Sequence, residues 1–136
     1  MKSFTKILKE FVAIKSISTD SKYKDEINKA VKGLADFCSK NKLKTKIIRD
    51  FDNPIIIAKT TTNPKLKTIL VYGHYDVVPA DPSMFNLQKK SGRFYGRGTA
   101  DNKGQILVHL YSVIKLLREN KLGLNVIFEL KPLSAV

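Results

Sequence analysis

The sequence predicts an α/β fold, and three observations carry that prediction. Apolar residues recur at helical spacing in three separate stretches, short β-branched runs bounded by turn residues lie between them, and the two kinds of segment alternate along most of the chain. With 136 residues and a 43% apolar composition, the chain has the material for one domain with a packed core and is not of the disordered type.

The elements follow in order. Residues 4–14 read as a helix because Phe4, Ile7, Leu8, Phe11 and Val12 share one face, and the polar run from Ser16 to Ser21 ends it. Residues 24–40 form a second helix with the stripe Ile27, Ala30, Val31, Leu34, Ala35 and Cys38. Cys38 lies on that stripe and reads as a packed core thiol rather than a nucleophile. As the single cysteine it can make no internal disulfide, which fits a reducing cytoplasm. Strands are predicted at residues 44–49, 54–59 and 67–72, separated by the turns Asp52-Asn53-Pro54 and Thr61-Thr62-Asn63-Pro64. The third run, Thr68 to Tyr72, is nearly all apolar, as expected of a strand covered on both faces. Residues 74–100 read as irregular, with a short hairpin arm around Phe85–Leu87 and Arg93–Tyr95. Residues 102–118 form a third helix, buried along Ile106, Leu107, Leu110, Val113, Ile114 and Leu117, and residues 124–129 a last strand.

The net charge of +13 raises the question of nucleic acid. Only Arg49, Arg93, Arg97 and Arg118 are arginines, so 21 of the 25 basic residues are lysines, and these are spread along the whole chain. A nucleic-acid reader clusters its charge and interleaves arginine with aromatic residues, so the charge reads as a solvated surface and no nucleic-acid partner is expected. No stretch approaches the roughly 18 apolar residues that span a bilayer, so no membrane partner is expected either. Behind the basic start Met1-Lys2-Ser3, Lys9 and Glu10 interrupt what would be the apolar core of a signal peptide. The expected location is cytoplasmic.

Two constellations carry chemistry. Gly73-His74-Tyr75-Asp76 follows the third strand run, at the carboxyl end where open α/β sheets gather their sites. Two residues apart on an extended segment, His74 and Asp76 point to the same side. A neutral imidazole ligates zinc, and a carboxylate two residues on can fix its tautomer. The second constellation is Gly96-Arg97-Gly98-Thr99-Ala100-Asp101-Asn102-Lys103-Gly104, which delivers Asp101 to the start of the third helix. Taken alone, Asp101 reads as an N-cap. A carboxylate placed between two cations can instead bridge them.

Together, in this order and spacing, Gly73-His74-Tyr75-Asp76-Val77-Val78-Pro79 and Tyr95-Gly96-Arg97-Gly98-Thr99-Ala100-Asp101-Asn102-Lys103-Gly104 resemble the M20-type metallopeptidases and amidohydrolases. That group includes dipeptidases, carboxypeptidases, acetylornithine deacetylase and succinyl-diaminopimelate desuccinylase. Phe11 to Ser18 looks like the family's first helix and its serine-rich exit, and the resemblance runs from residue 4 to about 129. It implies a partial three-layer α/β/α catalytic domain, zinc-peptidase-like, with a mostly parallel, mixed sheet. It implies that His74 ligates one metal, that the catalytic-site carboxylate Asp76 orients His74, and that Asp101 bridges two ions before an Asp101–Asn102 bond that is cis in relatives. Gly96, Arg97 and Gly98 shape the loop, and Lys103 and Gly104 start the helix. The implied cofactor is zinc, two ions in a complete enzyme, with cobalt or manganese as alternatives. The implied substrate is a small peptide or N-acyl amino acid, with Tyr75 and Asp101 to Gln105 pointing to the dipeptidase-like branch.

The pattern departs at residues 130–136. The family places a pair of glutamates after Phe128-Glu129, one the general base and one a ligand, where this chain has Pro132 and Leu133. No general base is identified. Of the remaining candidates, His109 lies about 12 Å along the helix from Asp101, and Glu119 and Glu129 do not occupy the family's positions. The expectation is therefore an N-terminal part of a catalytic domain over 1–136, truncated before the glutamate pair and inactive alone. The alternative is a non-catalytic remnant acting as an interaction or metal-binding module. Either form leaves apolar surface uncovered, so self-association is expected.

Overall fold

The structure, a computed structural model, describes residues 1–133. Three helices, α1 (Phe4–Ala13), α2 (Lys24–Lys40) and α3 (Lys103–Arg118), accompany six strands. These are β1 (Lys44–Ile48), β2 (Ile55–Lys59), β3 (Thr68–His74), β4 (Gln88–Lys90), β5 (Arg93–Tyr95) and β6 (Asn125–Lys131). The α/β class and the mixed sheet are as the sequence predicts, and the helix bounds agree to within a residue. The first half of the hairpin does not. Phe85 is drawn into a 3-10 turn, Pro82–Phe85, and buries its ring with Ile17 and Val77. The strand then starts at Gln88, because Ser91 and Gly92 both take positive φ (49° and 74°), which closes a two-residue turn and sets Lys90 opposite Arg93.

The main sheet has the order β1-β2-β6-β3. β1–β2 and β2–β6 are antiparallel and only β3–β6 is parallel, so the described sheet is mixed but not mostly parallel. Connection lengths explain the difference. The turn around Asp52–Pro54 is too short for anything but an antiparallel pair, whereas β3 and β6 are joined through α3.

Core packing places the helices. Ile56 and Ala58 of β2 and Val126, Phe128 and Leu130 of β6 share one cluster with Ile27, Val31 and Leu34 of α2 and Ile106, Leu110 and Ile114 of α3. Strand side chains alternate between faces, so α2 and α3 cover the same face of the sheet. Of the expected partial three-layer arrangement, the described residues build two layers, the sheet and the helices on one face. Leu70, Tyr72, Ile57 and Ile127 lie on the opposite face, and Leu70 and Tyr72 remain 61% and 51% exposed. The apolar run of β3 was read as a strand covered on both faces, yet β3 is an edge strand with one face open. Cys38 is fully buried, and burial pushes its thiol up to about 12, in keeping with a packed core residue.

Candidate metal centre

β3 runs two residues past its predicted end because Gly73 and His74 pair with Leu130 and Lys131 of β6. Gly73 has a steric reason to be glycine. A Cβ there would lie 2.6 Å from Ile106 Cγ1 and 2.9 Å from Asn102 Oδ1. The bare backbone lets the start of α3 close on the strand end, and the His74 N–H then donates to Asn102 Oδ1 at 3.0 Å. The two predicted constellations are thus tied together.

Their side chains meet. His74 Nδ1 lies 3.1 Å from Asp76 Oδ1 and 3.0 Å from the Asp76 carbonyl, while Nε2 lies 2.9 Å from Asp101 Oδ1. Asp76 is buried and fully engaged. Its Oδ1 also accepts from the Leu133 N–H at 2.9 Å, and its Oδ2 accepts from the Ser18 hydroxyl at 2.5 Å. Asp101 contrasts with it, its side chain 86% exposed. The capping alternative for Asp101 is not realised. Asn102 is the N-cap of α3, with no side-chain capping bond, and its amide oxygen serves His74. The Asp101–Asn102 peptide is cis, the isomer that the resemblance implied.

In the loop before Asp101, Gly98 but not Gly96 takes a positive φ, 89°. The Arg97 N–H donates to the Met84 carbonyl at 2.7 Å, which seats the turn on the 3-10 segment. A Cβ on Gly104 would fall 2.0 Å from the Thr99 carbonyl oxygen, so the first turn of α3 can pack on this loop only with glycine. Lys103 is fully buried, and its Nζ donates to the carbonyls of Phe11 (2.9 Å) and Ile14 (2.7 Å) at the end of α1. Burial pushes this ammonium down to about 7, against the charges of Glu26 and Asp76, which favour the protonated form. A detectable signal for that burial exists in the sequence, because Lys103 precedes Ile106 and Leu107 by three and four residues and so falls on the buried stripe of α3.

Other candidates stay apart. Tyr75 turns into the core, its hydroxyl donating to the Pro54 carbonyl at 2.7 Å and its ionisation pushed up by burial. It packs the site's floor and presents nothing to a ligand. His109 is exposed on α3. Glu119 pairs with Lys121 just past the end of α3. Glu129 stands opposite Tyr72, two pairs short of the His74–Lys131 position, and lies 3.9 Å from Lys131 Nζ. Pro132 is buried and Leu133 contributes only its backbone N–H, so no carboxylate arises at these two positions. Residues 134–136 of the departing segment lie outside the described residues.

The donor chemistry fits half a metal site. An imidazole whose far nitrogen rests on a carboxylate is the usual pairing behind a ligating histidine. Ligand bonds of roughly 2.0–2.1 Å in a tetrahedron put two donors about 3.3 Å apart, and Nε2 and Oδ1 stand 2.9 Å apart. A common ion requires them to part by only a few tenths of an ångström. Among the described residues no group of three or more His, Cys, Asp or Glu side chains could hold an ion, so His74 and Asp101 supply two donor positions and no more.

Comparison with known proteins gives a consistent result. Residues 70–131, from β3 through both constellations to the end of β6, match the model of peptidase family M20/M25/M40. A cysteinylglycine-S-conjugate dipeptidase of Corynebacterium striatum is 45% identical over 71 residues, which is 46% of this chain and 15% of that protein. A Cys-Gly metallodipeptidase of Candida albicans is 40% identical over 78 residues, 52% of this chain and 16% of its own length. The crystal structure of human carnosine dipeptidase 1 superposes with a TM-score of 0.86 at 28% identity, over 94% of this chain and 31% of that one. The chain thus spans about 15% of the length of these curated relatives and 31% of the solved one.

Proposed function

We propose, on the match of residues 70–131 to peptidase family M20/M25/M40 and the likeness to a metallodipeptidase, that His74 and Asp101 are ligands of a zinc centre that hydrolyses the amide bond of a dipeptide or N-acyl amino acid. The observation that carries the reading is the line Asp76–His74–Asp101. One imidazole nitrogen sits on a buried carboxylate while the other faces an exposed one at 2.9 Å. A bound ion supplies Lewis-acid polarisation of the amide carbonyl and a lowered water pKa. The chain's own residues do the rest that is legible. Asp76 accepts from Nδ1 and so leaves the Nε2 lone pair toward the site, with cobalt or manganese as other ions that this donor set accepts. Among the described residues nothing engages the second oxygen of the exposed Asp101 carboxylate, which leaves it open to a second ion. The dipeptide class draws its support from the relatives named above. The buried free thiol of Cys38 supports a reducing, cytoplasmic location, and no helix among the described residues is long and apolar enough to cross a membrane.

General-base catalysis needs a carboxylate or imidazole within hydrogen-bond reach of the attacking water, and none beyond these three residues stands there among the described residues. The 136-residue polypeptide is therefore expected to bind a zinc ion weakly and to hydrolyse nothing efficiently by itself. Zinc titration against a chromophoric chelator, with wild type, His74→Ala and Asp101→Ala, tests this beside a dipeptide turnover assay. Binding lost in both variants, with no turnover, is the expected result. Zinc binding indifferent to both substitutions, or dipeptide turnover at ordinary enzyme rates, overturns it. The open face around Leu70 and Tyr72 further supports self-association through that surface.

A further inference from the structure

The segment after α1 lies against the strand end that carries the site. Ile17 makes a parallel bridge to Val77, the Val77 N–H donates to the Ser16 carbonyl at 2.9 Å, and the buried Ser16 hydroxyl donates to the Tyr75 carbonyl at 2.8 Å. Residues 16–18 therefore act as a short extra strand parallel to residues 76–78, with Ser18 opposite Val78 and its side chain reaching Asp76 diagonally. There the Ser18 hydroxyl donates to Asp76 Oδ2 at 2.5 Å, while Oδ1 faces His74 Nδ1 at 3.1 Å.

A carboxylate turns easily about its last torsion, which has broad wells rather than sharp ones. Asp76 can hold the imidazole in one orientation only if that torsion is itself held. The Leu133 N–H lies on the same oxygen as His74, so it steadies Oδ1 but leaves the far oxygen to Ser18. From these contacts we infer that Ser18 is a positioning residue of the metal centre, acting on His74 through Asp76. Its hydroxyl pins Oδ2, the pinned carboxylate keeps Oδ1 on Nδ1, and Nε2 is thereby aimed at Asp101. Without the hydroxyl, a buried carboxylate oxygen loses the donor that Ser18 supplies, and the group turns toward whatever replaces it. The inference rests on the reading of His74 as a ligand, and the test separates the two.

The chain has two histidines, and His109 is exposed on α3 and serves as an internal control. Long-range 1H–15N spectra of the metal-free protein read each imidazole directly. Zinc affinity by chelator competition reads the consequence. Ser18→Ala is expected to move the His74 ring signals, leave those of His109 in place, and weaken zinc binding by about tenfold, the lower end for loss of a ligand's supporting partner. Ser18→Thr and Ser18→Val, which share a shape and differ in the hydroxyl, make the same comparison should Ser18→Ala fold poorly. Thr is expected to behave as wild type to within about threefold, and Val as Ala. Unchanged His74 signals and unchanged affinity in Ala or Val overturn the inference. So does equal weakening by Thr and Val, which would mark a merely steric role. If the wild-type chain binds no zinc while the His74 signals still move in Ala and Val but not in Thr, the metal reading fails and the positioning role of Ser18 stands.

Discussion

Replacing Gly73 by alanine tests the joint on which the site is built. The new methyl carbon would sit 2.6 Å from Ile106 Cγ1 and 2.9 Å from Asn102 Oδ1, against an ordinary carbon contact of about 3.5–4.0 Å. Neither neighbour yields cheaply. Ile106 is 2% exposed, and Cγ1 is close to its backbone rather than at the tip of the chain. Asn102 Oδ1 holds the His74 N–H. Overpacking of this kind costs about 1–3 kcal/mol, and loss of the hydrogen bond adds about 1 kcal/mol. Relief of the glycine's chain entropy returns about 0.5–1 kcal/mol. The expected net loss is about 1–3.5 kcal/mol, read as a lower urea midpoint at unchanged slope by circular dichroism. Ile106→Ala removes Cγ1, so the double variant should be less destabilised than the sum of the singles by about 1–2 kcal/mol. A Gly73→Ala loss below about 0.5 kcal/mol, or strict additivity in the double variant, would refute the packing account.

Two other predictions follow from burial and exposure. Folded Lys103 releases its proton near 7, whereas an unfolded lysine keeps it to about 10.4, so between these values the unfolded state binds more protons and stability rises with pH. Allowing for ionisation of unfolded Cys38, urea unfolding should show a gain of ~1 kcal/mol from about pH 7 to about pH 8.5 that Lys103→Met abolishes, and a slope of opposite sign in wild type would contradict it. On the open face, Leu70→Thr with Tyr72→Thr should lower the apparent mass at high concentration in sedimentation, and wild-type association should strengthen with salt as the net charge of +13 is screened. Salt-independent monomers would remove the face from consideration.

What could be read from the sequence follows from the range of each signal. Helical periodicity is local, and α1, α2 and α3 were legible to a residue because their stripes are continuous. His74, Asp76 and Asp101 were picked out through residue type, spacing and the family resemblance, and the structure brings all three into one hydrogen-bonded line. Signals that depend on distant pairing were not legible. β3 reaches His74 because of partners on β6 more than fifty residues later. An apolar run states that a strand is apolar, not how many of its faces are covered, and so the open side of β3 was missed. Ser18 carries no periodic mark at all. Its contact with Asp76 spans 58 residues and depends on an irregular segment lying down as a strand.

Charge completes the account of what this site can hold. Asp76 and Asp101 bring two negative charges to the two sides of one imidazole, and the described residues bring no third acidic or histidine donor to join them. Two carboxylates balance one dication. They do not balance two. The elements around the pair do not help a second ion. Asp101 stands at the N-terminal, electropositive end of α3, and Lys131 is next to His74 on the parallel ladder. Asp101 nevertheless keeps a free oxygen, since Asn102 and the backbone, not its carboxylate, serve the start of the helix. One ion on His74 and Asp101 is therefore the stoichiometry we propose for the described residues. A second ion on the outer oxygen of Asp101 requires further negative donors facing that oxygen from outside the described residues.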